Sequence, residues 1–475
     1  LLALLAIVAV VTVIVSGTSG GAVTAARLSD FCTAPVKGFA DALPVCLFVM
    51  ILGGFLGMMT ETGALDNGIA VLVQKLKGNE IMLIPVLMLI FSLGGTTYGM
   101  CEETVPFYAL LAATMMAAGF DPMVGAATVL LGAGCGCLGS TVNPFAVGAA
   151  VDALTGVDIA VNQSIIIGLG AVLWIVTTVM SIVFVMSYAK KVKADKGSTI
   201  LSMQELKDAE EAHGKAASEV NKEVKLTGRQ KGVLIAFAFT FVVMIVGFIP
   251  LADLNEGVAN FFDAGAVYDA DGNAVVQGWS ALITGLPIGQ WYFDEASTWF
   301  FLMAVLIGII GGLSEKQIVN TFITGAADMM SVVLVIALAR GISVLMANTG
   351  LDVYVLDAAA NALAGLSGVI FAPMSFLVYF GLSFLIPSTS GMATVSMPIM
   401  GPLAVKLGFS PEVMVMIFSA AIGVVNLFTP TSGAIMGGLA LAKIEWTTWL
   451  KFALKLIVAL SVVCAVILTI ACVML

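Results

Sequence analysis

Apolar stretches long enough to cross a lipid bilayer recur along the whole chain, at 1–16, 43–60, 123–150, 163–189, 232–250, 298–313, 329–347, 411–440 and 448–474. The hydrocarbon layer is about 30 Å thick, so a spanning helix needs roughly 20 mostly apolar residues. A backbone in lipid must satisfy its own N–H and C=O groups, and segments of this length do so as helices. Composition agrees. Of the 475 residues 60% are hydrophobic and 11% charged, whereas a soluble domain carries about 25% charged residues. Nucleic-acid binding is excluded as well, because only 20 residues are basic and half of them lie in one segment. The expected fold is an all-α polytopic membrane protein. Leu1–Val15 lacks a small-residue cleavage site and reads as part of a first spanning helix. Of the seven cysteines, six (Cys46, Cys101, Cys135, Cys137, Cys464, Cys472) lie in apolar surroundings without a zinc-like ligand set, and read as free thiols.

Two further regions, about 81–119 and 368–408, are apolar on both flanks and interrupted at the centre, by Gly94-Gly95-Thr96-Thr97-Tyr98-Gly99-Met100 and by Pro387-Ser388-Thr389-Ser390-Gly391-Met392. Flanks of roughly 12–15 residues are too short to cross alone. Both regions are therefore expected to be re-entrant hairpins with polar tips, which lipid tolerates only where the tip is buried in protein or faces water.

Charge sets the threading. Lys190–Lys231 carries ten Lys and Arg, while Gly232–Glu315 has none and is acidic through Asp253, Glu256, Asp263, Asp269, Asp271, Asp294 and Glu295. The positive-inside bias puts the linker 190–231 in the cytoplasm and the acidic segment outside. Alternation from these anchors brings Lys75, Lys77, Lys316, Lys443, Lys451 and Lys455 inside, leaves Arg27, Lys37 and Lys406 outside, and holds Arg340 within a span. The first hairpin then enters from the cytoplasm and the second from the exterior.

The chain also repeats itself. Gly38-Phe39-Ala40-Asp41 through Thr62-Gly63 matches Gly325-Ala326-Ala327-Asp328 through Thr349-Gly350 at a constant offset. Gly99-Met100 with Pro106 matches Gly391-Met392 with Pro398. Gly119-Phe120-Asp121-Pro122 matches Gly408-Phe409-Ser410-Pro411, and Ser140-Thr141-Val142-Asn143-Pro144 matches Asn426-Leu427-Phe428-Thr429-Pro430. With the threading above, the copies 1–189 and 232–475 have opposite orientations. Inverted repeats of this kind build secondary transporters, whose sites lie at the repeat interface near the midplane. No G-x-x-x-x-G-K-[ST] loop is present to drive a pump. A channel is the competing class. An intramembrane enzyme would need a nucleophile with a base, yet the sole histidine, His213, lies in the linker. No cofactor is expected.

The polar residues of the two tips and of the two broken helices (123–150 and 411–440) are the candidate site. Proline at 144 and 430 frees upstream carbonyls, which with Ser, Thr and Asn oxygens suit Na+. Half-helix amino ends attract carboxylates. Glu102 and Glu103 follow the first tip and have no counterpart in the second. A carboxylate at that depth is functional by default, as a proton carrier, a Na+ ligand or the partner of a cationic substrate group; the alternative is an ion pair with Arg340. Asp41 and Asp328 read as helix caps. Glu61, Asp66, Asn348 and Asp352 flank the Thr-Gly breaks, as hinges or as ligands. Trp291, Tyr292, Trp299, Trp446 and Trp449 read as interfacial anchors.

At Gly94-Gly95-Thr96-Thr97-Tyr98-Gly99-Met100-Cys101-Glu102-Glu103-Thr104 and Gly139-Ser140-Thr141-Val142-Asn143-Pro144 the sequence resembles the YfcC-type carriers, which group with the anaerobic four-carbon dicarboxylate carriers in the ion transporter superfamily. The resemblance runs over almost the whole chain. It implies a bacterial inner-membrane homodimer whose mobile domain carries a small-molecule substrate past a scaffold, in the manner of an elevator. It also implies substrate and Na+ sites at Thr96, Thr97, Gly99, Ser140, Thr141 and Asn143, and at Ser388, Thr389, Ser390, Gly391, Asn426, Thr429 and Thr431. Thr97, Asn143, Ser390 and Thr429 are the Na+ candidates among them. The Ser-Asn-Thr signature of dicarboxylate and citrate members is absent from both tips. YfcC-like carriers have been regarded as exchangers of basic amino acids, a substrate class that Glu102 and Glu103 would suit. A small amino acid, basic in preference, is thus the expected substrate, and a four-carbon dicarboxylate the alternative.

Overall fold

The computed structural model describes residues 1–65, 67–68, 71, 79–219, 225–249, 251, 256–269, 274–386 and 388–475, without the side chains of 102, 215–219, 256, 268, 274 and 368. Asp66, Lys75, Lys77, Lys222, Asp253, Asp271 and Pro387 lie outside the described residues, as do the side chains of Glu102, Lys215 and Glu256.

The first half of the chain forms α1 (Leu2–Ser16), α2 (Leu28–Asp41), α3 (Leu43–Glu61), α4 (Leu83–Tyr98), α5 (Val105–Ala117), α6 (Pro122–Leu138), α7 (Ala149–Thr155) and α8 (Gln163–Ala194). A π-helical turn, Pro144–Gly148, leads into α7. The polar linker holds α9 (Met203–Glu219). The second half forms α10 (Gly228–Phe248), α11 (Glu256–Phe262), the antiparallel strands β1 (Val267–Tyr268) and β2 (Ala274–Val276), α12 (Phe293–Gly311), α13 (Glu315–Asp328), α14 (Met330–Thr349) and α15 (Leu351–Leu363). It ends with α16 (Gly368–Leu385), α17 (Thr389–Lys406), α18 (Pro411–Val425), α19 (Gly433–Leu441) and α20 (Trp446–Met474). Among the described residues seven helices are long and apolar enough to cross a membrane. The protein is a multi-pass membrane protein, almost wholly helical.

Local sequence explains several boundaries. In both Gly-Phe-x-Pro matches the glycine takes a left-handed φ, +86° at Gly119 and +82° at Gly408. The residue before proline then caps the next helix: Asp121 accepts from Val124 N–H and Ser410 from Val413 N–H. Proline in the first helical position costs nothing there, because its missing N–H would have no intrahelical partner. Asp41 and Asp328, by contrast, do not cap. They are the last residues of α2 and α13, and the caps of the following helices are Ala42 and Met329, without a side-chain bond.

The first arm of the first hairpin is longer than its sequence suggests and, as Glu80–Tyr98, is one of the seven helices long and apolar enough to cross, whereas the second arm, α5, keeps the expected length at 13 residues. α4 continues through Gly94-Gly95-Thr96-Thr97 and ends only at Tyr98, where Gly99 takes φ +81°. The glycine pair does not break the helix because it serves packing. A Cβ on Gly95 would collide with the Ala133 carbonyl, and one on Gly136 with the Ser92 carbonyl, so α4 and α6 cross with their backbones in contact.

Helix contacts recur two by two across the halves. α4 packs on α6 and α8 as α16 packs on α18 and α20; α5 packs on α6 as α17 packs on α18; α6 packs on α8 as α18 packs on α20. Between the halves, α2 packs on α14 as α13 packs on α3, and α5 on α19 as α17 on α7. Two of these crossings are made of glycine. A Cβ on Gly38 would strike the backbone of Gly341 and Ala337, and one on Gly325 the backbone of Gly53. Without a hydrophobic drive between helices in lipid, such close backbone approach is a main source of their association.

The linker is tied to one set of helices. Thr199 and Tyr188 hydroxyls both donate to Asp121 Oδ2 (2.7 and 2.6 Å). Ser202 and Glu205 form reciprocal cap bonds at the start of α9, and Glu205 Oε1 also accepts from Glu445 N–H (2.9 Å). Burial alone would raise the Glu205 carboxyl, but the N–H groups of Glu445 and Ser202 hold it below the usual range. His213 Nε2 meets the Leu441 carbonyl at 3.0 Å, so this nitrogen is the donor. Burial lowers the His213 pKa, opposed by that bond and assisted by Lys443. Glu61, Asp328 and Lys443 line the same cleft of about 940 Å3 between α3 and α13 on one side and α5 and α19 on the other.

A histidine whose folded pKa is depressed contributes docking energy above its unfolded value, about 6.5, and loses it as pH falls toward the lower folded value. Amide exchange in α9, corrected for intrinsic rate, is therefore expected to quicken between pH 7.5 and 5.5. His213→Gln should abolish that pH step, and an unchanged step in the variant would exclude His213 as its cause. Glu205 titrates lower and should not contribute in this window.

Candidate functional site

The interruptions of the helices converge. The turn between α4 and α5, the break after α6, and the amino ends of α17 and α19 line one cavity of about 160 Å3. From the first half it takes Gly99, Glu103 and Asn143; from the second it takes Ser388, Thr389, Ser390, Asn426 and Thr431. Arg340, near the middle of α14, also lines it.

Thr96, Thr97, Ser140, Thr141, Gly391 and Thr429 are not in the wall. They build it. Thr96 Oγ1 donates to Gly139 O (2.6 Å), while Thr96 O accepts from both the N–H (2.9 Å) and the hydroxyl (3.0 Å) of Thr141, which locks the end of α4 to the break after α6. Ser140 Oγ donates to Cys137 O and accepts from Asn143 Nδ2 (2.9 Å), while Asn143 Oδ1 caps Phe145 and Ala146 N–H. Thr97 bonds back to Leu93 O within α4. Gly391 N–H donates to Ser388 Oγ (3.1 Å), and Thr429 pairs with Thr431 at 2.7 Å. Of the four Na+ candidates, Asn143 and Ser390 line the cavity; Thr97 and Thr429 do not.

The second break differs from its sequence reading in a further way. Two of its carbonyls are already occupied: Leu427 O accepts from the Trp449 indole N–H (2.9 Å) and Phe428 O from that of Trp446 (2.7 Å). Trp449 is fully buried, and Trp291 nearly so, donating to Leu286 O. These tryptophans close loops inside the protein. An indole N–H placed in lipid must find an internal acceptor, and a broken helix supplies one.

Oxygen groups not already committed belong to the second half. Among the described residues the side chains of Thr389, Ser390, Asn426 and Ser432 donate and accept no hydrogen bond. Glu103 is 2% exposed, and its Oε2 accepts from Cys101 N–H (2.9 Å). Only the backbone of Glu102, in the same 3-10 turn, is described. Phe145 and Phe293 complete the wall, their rings stacked at 5.6 Å. Phe145 follows the Pro144 break and could have been read from it. Phe293 begins a helix within the acidic segment, and nothing in its sequence surroundings marks it. All seven cysteines are free thiols.

A multi-pass helical bundle whose broken helices enclose a small cavity, mostly apolar with polar groups at the helix ends, has the design of a membrane transport protein. The family model described as C4-dicarboxylate anaerobic carrier (DcuC) matches residues 3–473, and the chain belongs to that family of transporters. It is 28% identical over 445 residues to an uncharacterized protein of Haemophilus influenzae (93% of this chain, 78% of that one). It is 27% identical over 440 residues to YfcC of Escherichia coli, provisionally named a basic amino acid antiporter (90% and 77%). Among solved structures it is similar to the Neisseria gonorrhoeae efflux pump MtrF (18% identity, TM-score 0.46, covering 100% of this chain and 95% of that one). The transporter YdaH of Alcanivorax borkumensis is comparable (17%, TM-score 0.46, 93% and 88%).

Proposed function

We propose that this protein is a secondary active transporter of small amino acids, basic ones such as arginine or ornithine in preference, working by exchange or with Na+. The observation that carries the reading is the cavity itself, where an acidic side chain, Glu103, shares the wall with uncommitted hydroxyl and amide groups and with two half-helix amino ends. The carboxylate meets a cationic side chain, and the amino ends of α17 and α19 attract the α-carboxylate. The name of the E. coli relative points the same way. The paired helix contacts support two inverted repeats, with α4–α8 and α16–α20 moving as one body against a scaffold of α1–α3 and α12–α14. The full assembly would be a homodimer in a bacterial inner membrane, with the linker 190–231 in the cytoplasm. Na+ would bind through oxygens such as those of Asn143 and Ser390.

A second reading, Na+-coupled transport of a four-carbon dicarboxylate with Glu103 as a cation ligand, is favoured by the description of the family model. A thermal-shift competition screen on purified protein, with and without Na+, separates the two. Arginine or ornithine is expected to raise the melting temperature by several degrees and succinate to leave it unmoved. Succinate outcompeting arginine would transfer the assignment to the dicarboxylate reading.

A further inference from the structure

Arg340 breaks the internal repeat. At the constant offset that aligns Gly38 with Gly325, its counterpart in the first half is Gly53, a residue fixed there by helix packing. A cationic side chain in the middle of a spanning helix is expensive to keep and is retained where it has work. Its ion-pair partner is Asp41, through Nε at 3.7 Å, a long contact between side chains that are 27% and 49% exposed. Among the described residues the guanidinium donates no hydrogen bond, so both of its Nη groups are uncommitted. The group lines the same cavity as Asn426, Thr389 and Ser390.

We propose that Arg340 is the carboxylate anchor of the transported molecule. Asp41 steadies its Nε edge, and the Nη fork receives a substrate carboxylate in bidentate fashion, completed by the Asn426 amide and the hydroxyls of Thr389 and Ser390. A guanidinium suits this because its planar fork matches both carboxylate oxygens at once, which an ammonium cannot do. With Glu103 in the same wall, the cavity is bipolar, complementary to a molecule bearing a carboxylate and a separate cation. This substrate class rests on the proposed function; the anchor itself serves any carboxylate.

The test is binding to the purified full chain by calorimetry, with L-arginine, its methyl ester and its decarboxylated amine, agmatine, as probes. Wild type is expected to bind arginine at least about 10-fold more tightly than either analogue. Arg340→Gln should weaken arginine on the order of 10- to 100-fold, to the level of the ester, and leave the ester and agmatine unchanged; Arg340→Lys should fall between. Equal weakening of all three probes, or full retention of arginine binding, overturns the anchor. If Arg340→Gln does not fold, Asp41→Asn decides instead: with the Nε edge no longer steadied, arginine affinity should fall several-fold with the ester unmoved, and unchanged arginine affinity or an equal loss for both probes counts against the proposal. Should wild type ignore all three probes and bind succinate, the amino-acid reading fails, and loss of succinate in Arg340→Gln still upholds the anchor. Binding of neither class overturns both.

Discussion

Glu103→Gln is expected to abolish uptake of basic amino acids into proteoliposomes while leaving the protein folded. The substitution is close to isosteric, and a glutamine oxygen can still accept the Cys101 N–H that Glu103 Oε2 accepts at 2.9 Å. The turn between α4 and α5 should therefore keep its shape. What disappears is a negative charge on a residue only 2% exposed. Removing one partner of a desolvated charge pair costs about 3–5 kcal/mol, so binding of a cationic substrate should weaken on the order of 100-fold or more. An unshifted melting temperature together with lost uptake is the expected pair of results. Normal uptake by the variant would end the role assigned to Glu103. Retained uptake with an altered Na+ requirement would make it a cation ligand and favour the dicarboxylate reading.

Gly325→Val should have the largest effect on stability. A Cβ at this position would collide with the Gly53 carbonyl, a contact between two backbones that no rotamer change relieves. Forcing α13 away from α3 also opens the surrounding crossing, and a cost above about 3 kcal/mol is expected. In detergent the variant should unfold well below the wild type or fail to yield a monodisperse peak. Gly381→Ala, also within a helix but with nothing within 4 Å of the added methyl, is the control. It should be neutral or slightly stabilising, since alanine is the better helix former by up to about 1 kcal/mol. Wild-type melting for Gly325→Val would show that the crossing is not a tight backbone contact.

Much of this was legible in the residues. Long apolar runs dictate helices, and proline after Asn143 and Thr429 dictates breaks, because both follow from backbone hydrogen bonding alone. The site was legible at the level of segments. Both tips and both breaks do meet at one cavity, yet Thr96, Thr97, Ser140 and Thr141 turn their polar atoms inward on the protein's own backbone. Sequence marks where polar groups interrupt an apolar run; it does not say whether the cavity or a neighbouring carbonyl claims them. The same limit applies to Trp446 and Trp449, whose indoles suit an interface as well as an orphaned carbonyl. α2 and α13 were not legible as helices because they are short and mixed in polarity, and their place is fixed by glycine contacts with the opposite half.

Bonds that hold α9 and the turn before it run to Asp121, Leu441 and Glu445, all beside the elements that carry the hairpins and breaks, whereas α10 packs against α12. On the proposed division into a mobile body and a scaffold, the polypeptide joining α9 to α10 is the covalent tether between the two groups of helices. From Val220 to Thr227 it contains eight residues, and a chain of that length reaches at most about 28 Å when drawn taut. If that proposal holds, shortening the tether in steps should shorten the stroke, and its length becomes a ruler for the excursion.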